Sequence, residues 1–166
     1  MSEDSVDRMV AAWAASEPGL DVSPLEVAGR VLLGAHHLQK ALVEALRPLN
    51  LSFADFDVLN TLRRRADPDG TNPSELAHSA LITTGAMTTR LHRLAEAGLV
   101  RRVPDPDDGR AVRVLLTARG RTLARQALDA VLAADEAFIA PLSRTQRAAL
   151  VDALRTALLP YEPDRL

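Results

Sequence analysis

The sequence contains no cysteine. That excludes a disulfide scaffold, a thiolate metal site, a cysteine nucleophile and a thiol redox sensor. It has no apolar run approaching the roughly 18 residues of a membrane span. Its first residues are acidic (Glu3, Asp4, Asp7) where a signal peptide is basic. Lysine is nearly missing: Lys40 is the single exception among basic residues that are otherwise arginine, a pattern best read as codon bias. What remains is 47% hydrophobic and 25% charged over 166 residues, the composition of one globular domain with a real core. The expectation is a soluble cytoplasmic protein with no membrane partner and no cofactor.

A net charge of −2 looks unsuited to nucleic acid. Divided along the chain, the charge says otherwise. Residues 1–62 sum to −5, residues 63–82 to 0, residues 83–121 to +4 and residues 122–166 to −1. A basic central segment lies between acidic flanks, and phosphates respond to local charge.

Helix caps punctuate the chain. A short helix is expected over about Val6–Ser16, around Val10 and Trp13, broken by Pro18-Gly19. Ser23-Pro24-Leu25-Glu26 reads as a capping box with proline at the first helical position. The helix that follows runs to about Leu46 or Arg47, with Val27, Val31, Leu38, Leu42 and Leu46 at helical spacing and Pro48 past its end. Ser52 caps the next helix, with Asp55 in its first turn, and Asp67-Pro68-Asp69-Gly70 marks a loop. Asn72-Pro73-Ser74-Glu75 starts a short helix, and Thr83-Thr84-Gly85 opens another that runs to about Ala97 and is closed by Gly98.

The period then changes. Leu99–Val103 and Ala111–Leu116 read as two strands joined by Pro104-Asp105-Pro106-Asp107-Asp108-Gly109-Arg110, a hairpin with a protruding tip. Thr117 caps a long helix to about Ala137, and Ser143-Arg144-Thr145-Gln146 opens a last one to about Leu159. The fold expected is mainly α with a small β-hairpin: a winged helix-turn-helix, whose second helix is suited to a DNA major groove. Three stretches follow. Residues 1–50 hold the N-terminal helices, 51–120 the DNA-binding lobe and 121–166 the C-terminal helices, one domain overall.

On the helix from Thr84 to Ala97, Met87, Leu91 and Leu94 form the buried stripe. The other face carries Gly85, Thr89, His92, Arg93 and Glu96, flanked by Thr84 and Thr88. Threonine offers a hydroxyl and a methyl to base edges, arginine can grip guanine or phosphate, and Gly85 allows close approach. A polar face alone is more often merely solvated. Here it coincides with the local positive charge and with the hairpin arginines Arg101, Arg102, Arg110 and Arg113. Arg110 at the tip suits a minor groove, and Asp107 and Asp108 beside it can hold its pose. Ser74 either touches a phosphate or simply caps its helix.

The histidines lack ligand spacing for a metal: His36 and His37 are neighbours on a helix and cannot easily face one ion. His78 and His92 read as surface residues. Arg63-Arg64-Arg65 reads as a solvated cationic helix end. No triad, phosphate loop or paired-carboxylate cleft suggests an enzyme. A winged-helix module that contacts only protein is the remaining alternative, and Arg93 with Arg110 argue against it.

The run from Leu51 to Gly120, above all RLHRLAEAGLVRR, DPDDGR and LLTARG, resembles the MarR family of bacterial transcriptional regulators. The resemblance implies an obligate homodimer with intertwined terminal helices, binding a palindromic operator in double-stranded DNA. It implies a small-molecule pocket between dimerisation helices and DNA-binding lobe, and usually repression. The absence of cysteine removes the family's thiol-based peroxide sensing. The N-terminal stretch VDRMVAAWAASEPGLDVSPLEVAGR is similar to the branch that senses urate and related phenolic or purine ligands through an extra helix. The matching pocket positions are Trp13, Asp57 and Arg90. Helix geometry puts Arg90 at the edge of the buried stripe, so a small aromatic acid or urate-like ligand can compete with Asp57 for it and shift the helix. Packing roles are the alternative for Trp13 and for an Asp57–Arg90 pair. The branch often has an arginine where Ser16 or Glu17 stands, and a regulator without such an effector is the rival reading.

Overall fold

A computed structural model describes residues 3–79, 84–106, 108 and 111–162, with all their side chains except those of Ser79 and Thr84. The order is α1 (Ser5–Ser16), α2 (Ser23–Leu46), α3 (Phe53–Arg65), α4 (Pro73–Ser79), α5 (Thr84–Glu96), β1 (Val100–Pro104), β2 (Val112–Leu116), α6 (Ala118–Ile139) and α7 (Arg144–Leu158). Single 3-10 turns follow α2 and α7. Strands β1 and β2 pair antiparallel, with Val100 opposite Leu116 and Pro104 opposite Val112. Thr71 adds an isolated bridge to Val114, which fastens the α3–α4 loop to the hairpin.

The caps act locally as expected at most helix starts. Ser52 and Asp55 form a reciprocal capping box on α3, and Ser143 with Gln146 do the same on α7. Thr117 accepts from the Gly120 amide to start α6. Ser23 differs. It already lies inside α2, whose N-cap is Val22, because Asp21 Oδ1 accepts from the Ser23 amide at 3.0 Å and takes over the capping role. Asp4 adds a capping box on α1 beyond those expected. Pro48 lies past the end of α2, as expected, within the 3-10 turn Arg47–Leu49, where its missing N–H costs nothing.

The core joins α2, α3, α4, α5, the hairpin and α6 around Leu46, Leu59, Leu76, Met87, Leu91 and Val114. Met87, Leu91 and Leu94 are fully buried, as their spacing requires, each worth about 2 kcal/mol of apolar burial. One close approach fixes how α6 leaves the hairpin. A side chain at Gly120 would place its Cβ 1.9 Å from the Leu99 carbonyl oxygen, so only glycine lets α6 lie against the residue that precedes β1.

The apolar stripe on α2 divides. Leu42 and Leu46 are buried and Leu38 is half-buried, but Val27 is 68% and Val31 46% exposed. Leu32 and Leu33 on α2, Leu132 and Phe138 on α6, and Leu150, Val151 and Leu158 on α7 are exposed as well. Helix α7 buries no residue in the single chain, and the Arg147–Glu136 ion pair at 2.9 Å ties its start to α6.

Candidate nucleic-acid interface

Helices α4 and α5 and the hairpin present the charged face. Gly85, Thr88, Thr89, His92 and Arg93 are all exposed on α5, on the side away from Met87, Leu91 and Leu94. A Cβ at Gly85 would meet nothing within 4 Å, so the start of α5 is open to an approaching surface. The Thr89 hydroxyl donates to the Gly85 carbonyl at 3.2 Å, which orients its methyl and leaves an oxygen lone pair outward. His92 lies 3.4 Å from Glu96. Ser74 is exposed near the start of α4, and its amide donates to Asn72 Oδ1 at 2.8 Å. The asparagine thus makes the cap that was one reading for Ser74. The side chain of Thr84 and the whole of Arg110 lie outside the described residues.

The loop end of the hairpin is held firmly. Arg113 donates from Nε to Asp105 Oδ2 at 2.7 Å and from Nη1 to the Gly70 carbonyl at 3.3 Å, and lies 3.8 Å from Asp67. Arg65 pairs with Glu75 at 2.6 Å, so the end of α3 is braced against α4 rather than simply solvated.

Helix α5 is anchored through Asp55. Its Oδ2 accepts from the Ser52 hydroxyl at 2.6 Å and from the Ser52 amide at 3.3 Å. Its Oδ1 accepts from Arg93 Nη2 and lies 3.6 Å from Arg90 Nη1. Burial alone would raise the Asp55 pKa, but the bonds from Ser52 and Arg93 outweigh it and hold it below the ordinary carboxylate value. Arg93 therefore gives one donor to the fold and keeps the rest of its fork exposed.

This geometry corrects the expected Asp57–Arg90 pair. The direct ion-pair partner of Arg90 is Asp55. Asp57 makes no ion pair with Arg90 at this range and feels its charge from farther off. Asp57 is half-buried, and burial raises its pKa, with the charges of Arg64 and Arg90 partly offsetting that. Arg90 is also half-buried, and its Nε has no hydrogen-bond partner among the described residues.

Trp13 stands apart from this pair. It is 41% exposed and lines an open cavity of about 330 Å³ with Met9, Ala12 and Ser16. Neither Asp57 nor Arg90 borders that cavity. Helix α1 is clamped to α2 by Arg30, which donates to Asp4 at 2.9 Å and Asp7 at 2.6 Å. No sequence motif marked this clamp, because it joins residues more than twenty positions apart. Among the described residues no group of acidic residues or histidines could hold a metal, and no helix is long and apolar enough to cross a membrane.

A helix-turn-helix pair that runs directly into a two-stranded wing defines a winged helix-turn-helix protein. Residues 49–111 match the family model described as MarR family. The chain is 32% identical over 142 residues to the HTH-type transcriptional regulator PecS of Dickeya dadantii, covering 86% of each. The chain belongs to the MarR family of transcriptional regulators, not to an enzyme family. Solved structures agree. A mutant MarR from E. coli, complexed with operator DNA, superposes with a TM-score of 0.70 at 26% identity, over 88% of this chain and 97% of that one. The Mycobacterium tuberculosis MarR family protein Rv2887, in complex with salicylic acid, superposes at 0.58 with 34% identity, over 76% and 92%.

Proposed function

We propose that the protein is a homodimeric repressor that binds a palindromic DNA operator and is released by a small aromatic or purine-like ligand. The carrying observation is the exposed polar face of α5 beside the braced wing, within the +4 segment of the chain. Thr84, Gly85, Thr88, Thr89, His92 and Arg93 would meet base edges and phosphates in the major groove. Ser74 would meet a phosphate, and Arg110 the minor groove. The family likeness, including a relative complexed with operator DNA, supports this reading. Work on DNA would put the protein in the cytoplasm.

The homodimer is supported by α7, which buries no residue of its own, and by the exposed apolar residues of α2 and α6. Leaving them in water would be costly, at about 25 cal/mol per Å². Residues 1–50 and 121–166 would form the dimerisation part, and 51–120 the DNA-binding lobe.

The ligand reading rests on Arg90 and Asp57. A buried guanidinium N–H without a partner costs stability until an acceptor arrives. A carboxylate or ring oxygen that met it would draw Arg90 from Asp55, and α5 would move with it. Trp13 would contribute a ring face if the second chain brings α1 over this pair. A salicylic acid complex of a relative favours an aromatic acid as the class. The test is a mobility-shift titration on the gene's own upstream DNA with salicylate, urate and related aromatic acids added. A retarded band that one of them dissolves supports the reading. A band that none affects removes the effector and keeps the repressor.

A further inference from the structure

The wing has a second face, turned toward the C-terminal end of α3 and the first turn of α6. There lies a cavity of about 580 Å³, within the range of small-molecule sites. Its floor is apolar, with Leu62 and Leu116 both buried. Its walls carry three arginines, Arg63, Arg101 and Arg121, against one acid, Asp67. Arg63 and Arg101 have no hydrogen-bond or ion-pair partner among the described residues. Arg121 gives Nη1 to the Leu116 carbonyl at 2.9 Å and keeps its other donors. The start of α6 also borders the cavity, and its dipole adds positive potential.

These features select a ligand. Unpartnered guanidinium groups ask for an anion, and oxygen acids such as carboxylates fit their fork. The apolar floor asks for a flat hydrocarbon body, which inorganic phosphate lacks. The excess of cations over Asp67 suits one or two negative charges. We propose that this cavity binds a small amphipathic organic anion, an aromatic ring system bearing a carboxylate. The site is separate from Trp13, Asp57 and Arg90, and it holds whether or not the effector reading does.

Its position gives it a readout. Two of its walls are the wing strands themselves, and Asp67 on its rim faces Arg113 at 3.8 Å. Arg113 is in turn bound to Asp105 in the wing. A ligand that draws on Arg101 or displaces Asp67 therefore acts on the wing without passing through α5.

The test uses the full chain with labelled leucine methyls and 2-naphthoate as probe. Saturable shifts of the Leu62 and Leu116 methyls are expected. Replacing both arginines (R63Q with R101Q) should weaken them by about tenfold or more, as losing charge-assisted hydrogen bonds does. Neutral 2-naphthamide should bind the unaltered chain correspondingly more weakly, which tests the charge requirement without any variant. Inorganic phosphate should not reproduce the methyl shifts. Methyls that do not move with 2-naphthoate overturn the proposal. So does equal affinity for the amide, an undiminished R63Q/R101Q response, or full reproduction of the shifts by phosphate.

Discussion

The buried carboxylate of Asp55, in the first turn of α3, accepts a hydrogen bond from the guanidinium of Arg93 on α5, 38 residues later. One oxygen caps its own helix and the other holds the recognition helix. A cap and a tertiary anchor thus share one side chain. The orientation of the exposed polar face of α5 depends on a residue of α3.

Asp55 and Asp57 should respond oppositely to substitution and pH. The Asp55 pKa is depressed, so its contribution is present above the ordinary carboxylate value and is lost as pH falls through its lowered one. The Asp57 pKa is raised, so its ionised form is the costlier one, and stability falls as pH rises through it. At neutral pH, Asp55→Asn should destabilise by about 1–3 kcal/mol, through the weakened cap and the lost partner of Arg93 and Arg90. Asp57→Asn should be neutral or stabilising, by up to about 1 kcal/mol. Urea unfolding of both variants from pH 8 down to about pH 2.5, low enough to protonate a depressed carboxylate, checks the signs.

The cap by Ser52 and the place of Asp55 in the first turn were legible, because both are local signals. The anchoring role of Asp55 was not. It requires knowing that α5 crosses the start of α3, which no local pattern encodes. For the same reason no local pattern shows that Arg90 pairs directly with Asp55. The stripe on α5 was fully readable from period alone. The stripe on α2 gave the helix but not the burial of Val27 and Val31, since periodicity does not say which chain covers a face. The pairing of Arg65 with Glu75 depends on the α3–α4 turn and was equally out of reach.

Gly120 should tolerate no side chain. Gly120→Ala places a methyl against the Leu99 backbone carbonyl, and backbone cannot step aside as a flexible side chain can. A loss of about 1–3 kcal/mol or more is expected from overpacking, despite the better helix propensity of alanine. Thermal unfolding of this variant beside Gly19→Ala, where a Cβ meets nothing within 4 Å, isolates the contact.

The exposed face of α7 should carry the dimer. Leu150→Asp with Val151→Asp adds charge to residues 43% and 52% exposed in one chain. Sedimentation should show a dimer for the unaltered protein and a monomer, or a much weakened dimer, for the variant. A variant that remains fully dimeric moves the interface elsewhere.

Trp13 is the only tryptophan and lines an open cavity, so its emission is a clean reporter. Salicylate or urate should quench it saturably, and Arg90→Gln should abolish the saturation if the second chain joins the two regions. Quenching that persists unchanged in Arg90→Gln would confine the ligand to α1.

DNA recognition by α5 and the wing is the central claim, and fluorescence anisotropy on the gene's own upstream DNA tests it most directly. The protein should bind a palindromic segment there at least roughly a thousandfold more tightly than a scrambled duplex at the same salt. Arg110→Ala should weaken binding and lower the slope of log affinity against log salt by about one unit. Equal affinity for the upstream and scrambled duplexes, with an unchanged salt slope in Arg110→Ala, would contradict it.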